Sequence, residues 1–423
     1  MNFYKKYPTF FINQRTLIFL AKFLLFLLIL LQITTRIINT HIDYDEGFNL
    51  QVSLNLNQIK KYATYDRILD PYITTGSTVL IPCLFFINDF NPLLPRIIML
   101  CYTFLLIFIC YKKIMKTNTQ KLLYLIFLNF TPLFYFFSSH VLGEIPGFAL
   151  FVISLLLFQK NKYYLSGMFL MLSIFTKSLY MLGIVSILFM LFMDYINIKK
   201  ITQIRRSIEN FLFGSFFIFS LWHFYALSNL QFNLIKYSSV LLDSYMVFQI
   251  KSGIALNLIP ARLEMITYVF GINAYLFLFT TILLAIVIIL KRQFHNTLIC
   301  AFAIYYLINL IYFIIFSPTN WYRHFFPSVL SLSILTPYFL GYFIFHTTKK
   351  SIFIFGLFFT ILISSLYLSY ISPKSQIIKK RQRIQQNLIF DNKGFFPIFK
   401  QDPILKNQLD ITEYITKNIS KKR

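Results

Sequence analysis

Acidic residues are scarce in this chain: 15 Asp and Glu stand against 40 Lys and Arg in 423 residues, and charged residues of both signs amount to 13%. So few charges beside 57% hydrophobic residues exclude a soluble core as the reason for the apolar runs that recur over most of the chain. Glycine is sparse too, at 12 residues, and none of it forms a phosphate-cradling loop or a nucleophile elbow. The four cysteines, Cys83, Cys101, Cys110 and Cys300, lie in apolar stretches without metal-ligand spacing, so neither a disulfide framework nor a zinc site is expected and all four read as packing residues. The formal charge of +25 would point to nucleic acid in a soluble protein. Here the basic residues come in small clusters between apolar segments rather than on one face, so no nucleic-acid partner is expected.

What is present is a series of long apolar runs, and the fold class they predict is an all-α integral membrane protein whose partner is the lipid bilayer. The first run, residues 16–36, is long enough to cross a bilayer and has no small-residue cleavage site, so it reads as a retained anchor. Further crossings are expected at 94–111, 122–138, 145–158, 163–176, 179–196, 208–228, 265–290, 298–316, 325–345 and 352–370, which makes about eleven transmembrane helices. Placing the N-terminus in the cytoplasm assigns Lys112, Lys113, Lys116 and Lys121, Lys160 and Lys162, Lys199, Lys200, Arg205 and Arg206, Lys291 and Arg292, and Lys349 and Lys350 to cytoplasmic loops. That is the positive-inside distribution of a multi-pass protein. Most of the few acids then share the external face, with Asp194 and Glu209 the exceptions.

This assignment requires that residues 78–87 do not cross. The segment is short for a span, contains Pro82 and lies between Pro71 and Pro92, so an interfacial or re-entrant helix is expected. The first external loop therefore runs over residues 37–93 and opens with the acidic motif Asp43-Tyr-Asp-Glu-Gly-Phe-Asn49. After it, Phe48, Val52, Leu56 and Ile59 recur at helical spacing, which predicts an amphipathic helix lying on the membrane with Asp45 and Glu46 at its N-terminus.

Ionisable groups recur in the later external elements. The turn Ser138-Ser-His-Val-Leu-Gly-Glu-Ile-Pro146 presents His140 and Glu144, Thr176-Lys-Ser178 puts Lys177 at a helix end, and Tyr322-Arg-His-Phe-Phe-Pro327 offers Arg323 and His324. Arg67, Arg96, Lys236, Lys251 and Arg262 add external positive charge. Acids for proton chemistry and bases for an anion on one face suit attack on a lipid-linked phosphate. A carboxylate takes the proton of an acceptor hydroxyl, while Lys and Arg hold a phosphate leaving group whose charge grows in the transition state. Asp45, Glu46 and Glu144 are also hard oxygen donors, which leaves assistance by a divalent cation such as Mg or Mn open.

Taken in order, Tyr44-Asp-Glu-Gly-Phe-Asn-Leu, an amphipathic segment, Gly143-Glu-Ile-Pro, Thr176-Lys and Tyr322-Arg-His-Phe-Phe-Pro resemble the polytopic GT-C glycosyltransferases, in particular the protein O-mannosyltransferase and aminoarabinose transferase branch. The resemblance spans residues 16–370 and implies a GT-C-like domain over 1–371, followed by a short external tail at 372–423. It implies a glycosyltransferase that moves a sugar from a polyisoprenyl-phosphate donor to a glycan, lipid or protein acceptor on the external face. Asp45 would be the general base, with Glu46 and Glu144 as further catalytic acids. Lys177, with Arg323, His324 and Arg67, would hold the donor phosphate. Asp45 and Glu144 would be the metal ligands if a cation takes part. The implied location is a bacterial inner membrane. Two features depart from the branch's pattern: Asp70-Pro-Tyr-Ile-Thr-Thr-Gly76 stands where many members carry Lys-Pro-Pro or His-Pro-Pro, and Glu144 stands where an Asp is common. From the residues alone, a lipid-linked oligosaccharide flippase and an oligosaccharide polymerase or ligase remain rival readings.

Overall fold

The computed structural model describes residues 14–37, 46, 49, 93–131, 134–198, 201–229, 256–270, 296–317 and 322–346. Asp45, Arg67, the interfacial segment 78–87, the span at 352–370 and the tail at 372–423 lie outside the described residues, as does most of the amphipathic segment after the acidic motif.

The described residues are all-helical, with no strand among them. Helix α1 is Gln14–Ile37 and α2 is Leu93–Ile109, continued by a wide π-helical turn at Cys110–Ile114. Helices α3 (Asn118–Phe130), α4 (Phe134–Ser139), α5 (Glu144–Gln159) and α6 (Tyr163–Thr176) follow. A 3-10 turn, Ser178–Leu182, leads into α7 (Gly183–Ile198), and α8 is Ile201–Asn229. Helix α9 is Ile259–Phe270, α10 is Thr297–Ile311 with a π turn at Tyr312–Phe316, and the 3-10 turn Tyr322–His324 precedes α11 (Phe326–His346).

Among the described residues, three stretches are long and apolar enough to cross a membrane: Leu93–Ile114, Ser178–Ile196 and Thr297–Phe316, of 22, 19 and 20 residues. At 1.5 Å per residue each matches a hydrocarbon layer of about 30 Å. Ile18–Thr34, Glu144–Gln159, Tyr163–Thr176 and Phe326–Leu340 are apolar but shorter.

Two sequence expectations change. The run at 122–138 is not one helix: α3 stops at Phe130 and α4 starts at Phe134. Pro132 lies at the break, and a prolyl residue has no N–H to donate and crowds the preceding turn, so a continuous apolar run is not a continuous helix. The helix expected at 208–228 starts earlier, at Ile201, because helix formation does not stop where hydrophobicity does. Its polar first turns carry an Arg205–Glu209 pair at 2.7 Å, the i,i+4 spacing that supports a helical surface.

Helix α5 is the centre of the packing. Twelve of its 16 residues are buried, and it contacts α2, α6, α10 and α11. A helix apolar on all sides needs neighbours on all sides. Helices α6 and α8 form the closest crossing, where a Cβ on Gly167 would collide with the backbone carbonyl of Phe211 and one on Gly214 with that of Tyr164. Reciprocal small residues let two backbones touch, as they do between helices in lipid. The outer surfaces carry the large apolar side chains: Phe19, Phe23, Leu24 and Leu31 on α1, and Leu212, Phe213, Phe216 and Phe224 on α8, stand exposed. An apolar exterior of this extent is costly in water and natural in a bilayer.

Helix ends collect in two places. At one, Lys22 donates to Asn118 at 2.9 Å, Lys121 lies over the Tyr111 ring, and the α3 capping box joins Thr117 to Gln120. The other receives the end of α1, the starts of α2 and α5, and the end of α6.

Candidate active site

The second end is built around two buried carboxylates. Glu46, fully buried, receives Arg96 in a two-pronged pair: Nε lies 2.7 Å from Oε1 and Nη2 2.6 Å from Oε2. The Val141 N–H adds a third bond to Oε1 at 3.1 Å, and Asn49 Nδ2 donates to the Val141 carbonyl at 2.8 Å. Residues 46 and 49 thus clip both sides of Val141. Arg96 Nη1 reaches the Ile37 carbonyl at the end of α1, at 3.3 Å. A buried carboxylate is tolerable only if paired and hydrogen-bonded, and both oxygens of Glu46 are engaged. The acidic motif of the first loop is therefore tied to the ends of α1 and α2 and to the turn before α5. Asp45, which lies outside the described residues, is the covalent neighbour of Glu46.

Glu144 opens α5, where the unpaired N–H groups of the first turn favour an acid. Lys177 follows the last residue of α6 in extended backbone and starts the 3-10 turn. The α5–α6 hairpin has arms of 16 and 14 residues turned at Asn161, whose positive φ of 59° is one that Asn tolerates better than most residues. Arms of nearly equal length bring their far ends together. Lys177 Nζ lies 2.8 Å from Glu144 Oε1, while Glu144 Oε2 is buried without a hydrogen-bond partner. The two partners differ in exposure: the Glu144 side chain is fully enclosed and 21% of the Lys177 side chain reaches the surface. The 3-10 turn is held down on α5. The Tyr180 hydroxyl donates to the Glu144 carbonyl, the Tyr180 ring lies where a side chain at Gly147 would go, and Ser173 donates to the Gly147 carbonyl at 2.7 Å.

The third component is the Tyr322–His324 turn. His324 Nδ1 is 2.9 Å from Ser317 Oγ. The carbonyl of Ser317 accepts from Arg262, which also donates to the carbonyls of Ile314 and Ile315 in the π turn, at 2.7 and 3.1 Å. Withdrawal from solvent holds the His324 pKa well below 6.5, and the positive charges of Arg323, Lys177 and Arg262 push it the same way. His324 is therefore neutral at pH 7, amid three cations.

Of the candidates read from the sequence, Glu144 and Lys177 are in contact, and His324 and Arg323 share their electrostatic neighbourhood. Glu46 stands apart in its own saturated pair but on the same turn, through Val141. Asp45 and Arg67 are outside the described residues. Arg96 and Arg262, read in the sequence only as external charge, prove to hold backbone and carboxylate partners, and Tyr180 and Ser317 carried no signal. Among the described residues no group of three His, Cys, Asp or Glu side chains could hold a metal ion. Of the two residues read as possible metal ligands, Glu144 faces the Lys177 ammonium through Oε1 and Asp45 lies outside the described residues. Comparison with family models, with curated proteins and with solved structures gives no match.

Proposed function

We propose that the chain is a polytopic membrane glycosyltransferase of the GT-C kind, with about eleven spans and the two-carboxylate end facing outward. In this reading the protein sits in a bacterial inner membrane with its N-terminus in the cytoplasm. Its donor is a sugar on a polyisoprenyl phosphate and its acceptor a glycan, lipid or protein hydroxyl. The observation that carries the reading is the meeting, at one end of the bundle, of elements far apart in the chain: the Glu46 anchor of the acidic motif, the Glu144–Lys177 pair and the His324 turn with its cations. Three cations near a neutral imidazole, with Lys177 partly exposed, suit an anionic ligand.

The chemistry follows from the groups. Asp45 accepts the proton of the acceptor hydroxyl, whose oxygen attacks the anomeric carbon of the donor from the side opposite the phosphate. The bond from that carbon to the phosphate oxygen breaks with its electron pair, and the configuration inverts. The polyisoprenyl phosphate leaves with added negative charge, which Lys177 and Arg323 meet at the partly exposed edge of the cluster. Glu46, committed to Arg96, anchors the acidic motif at the residue next to Asp45.

The test is sugar transfer from labelled polyisoprenyl-phosphate sugars to total cell acceptors by the purified protein in liposomes, wild type against Asp45→Asn. Transfer by the wild type, reduced about 10²- to 10⁴-fold in a variant with unchanged melting temperature, is the expected result. Equal transfer by both removes Asp45 as the base. Carrier movement across the bilayer without any transfer identifies a flippase instead.

A further inference from the structure

Lys177 is asked to hold a phosphate, yet it already holds an anion. Its Nζ is 2.8 Å from Glu144 Oε1, and Glu144 has no route out of the protein, since it is fully buried at the first turn of the central helix with its carbonyl bonded by Tyr180. Lys177 does have one: part of its side chain is exposed, and it sits at a helix end in extended backbone. Nor is Glu144 saturated, because Oε2 is buried with no hydrogen-bond partner. The contrast with Glu46 is direct, for both oxygens of that carboxylate are engaged by Arg96 and one also by a backbone N–H. One acid is closed; the other is held by a single, partly exposed cation.

We infer that Glu144 is an internal competitor for the donor site: in the empty protein its carboxylate occupies Lys177, and an arriving lipid phosphate draws Lys177 away and uncovers a buried, unpaired carboxylate beside the reacting groups. This inference rests on the anion-site reading above and deepens it. Its physical basis is that one ammonium cannot keep close contact with two anions at full strength, so the carboxylate's attraction for Lys177 is subtracted from the phosphate's. Part of the donor's binding energy goes into breaking the Glu144 contact. The uncovered carboxylate accepts hydrogen bonds, so it orients an acceptor hydroxyl only once the donor is seated, which orders donor before acceptor. Glu144 thus sets donor affinity through Lys177 and meets the acceptor directly.

The experiment is equilibrium binding of a polyisoprenyl monophosphate, without sugar, to the full-length protein in nanodiscs. Wild type, Glu144→Gln, Lys177→Met and the double variant are compared. The inference expects Glu144→Gln to bind the phosphate tighter, by about tenfold or more, while transferring sugar more slowly. It also expects that tightening to vanish when Lys177 is Met, because the competition runs through that residue. Unchanged or weaker binding by Glu144→Gln overturns it, and so does equal tightening in the Lys177→Met background, which would be a general field effect. No phosphate binding by wild type at all would instead overturn the anion-site reading on which it rests. Should the Gln variant fail to fold, Glu144→Asp keeps the charge and withdraws it by one methylene. Affinity above wild type supports the competition, and affinity at or below wild type overturns it.

Discussion

Glu46 and Glu144 are both fully buried carboxylates at the same end of the bundle, each facing one basic residue, yet their surroundings differ in every other respect. Arg96 is itself buried, its planar fork matches both oxygens of Glu46, and Val141 completes the set. Lys177 offers a point charge to one oxygen of Glu144, is partly exposed, and leaves the second oxygen without a hydrogen bond. A saturated pair cannot take a ligand without losing bonds that the ligand does not replace. An unsaturated pair can, so the difference separates a carboxylate that holds the scaffold from one that is available to chemistry.

That contrast is broken most severely at Arg96. Arg96→Met strands Glu46 in the interior and loosens the ends of α1 and α2 together, and we expect a loss of about 3–5 kcal/mol, visible as a collapse of monodisperse yield and melting temperature in detergent. Lys177→Met is expected to lower the melting temperature less, because it removes a single contact to one Glu144 oxygen, whereas Arg96→Met removes a two-pronged pair and the bond to the Ile37 carbonyl. Equal losses in the two variants would erase the distinction between the pairs.

A smaller effect is expected at His324 and is read in pH. The folded protein keeps this imidazole neutral well below 6.5, whereas in the unfolded chain it takes up a proton near that value. Its contribution to stability is therefore complete above about pH 6.5 and is lost as the pH falls, since only the unfolded state gains the proton. His324→Gln should flatten the fall in melting temperature between pH 7 and pH 5; an unchanged slope would place the acid sensitivity elsewhere. The smallest effect belongs to the exposed Arg205–Glu209 pair at the opposite end from the carboxylates. Arg205→Ala should leave melting temperature and transfer unchanged, as solvated i,i+4 pairs contribute little.

Part of this arrangement was legible in the residues. Apolar run lengths marked most helices to within a few positions, and residues 163–176 match α6 at both ends, because hydrophobic length is a local property. The near-equal arms of the α5–α6 hairpin also held a usable signal, since they place Glu144 beside Lys177 once the turn at Asn161 is recognised. The break at Pro132 was equally local and was outweighed by the apolar residues around it. Arg96 was not legible: Glu46 lies 50 positions away, and nothing in either neighbourhood says which of several basic residues would meet it. Arg262 was similar, since its partners are backbone carbonyls that become available only where α10 ends in a π turn.

By itself, then, the sequence determined the helical class, the apolar exterior and the set of scarce acids from which any chemistry must be drawn, because these depend on composition and on periodicity along one segment. Which acid is closed and which is open was decided only in three dimensions. The pairing of a buried charge depends on which helix ends are brought together and how much solvent they leave between them, and that is a property of packing rather than of any single stretch of chain.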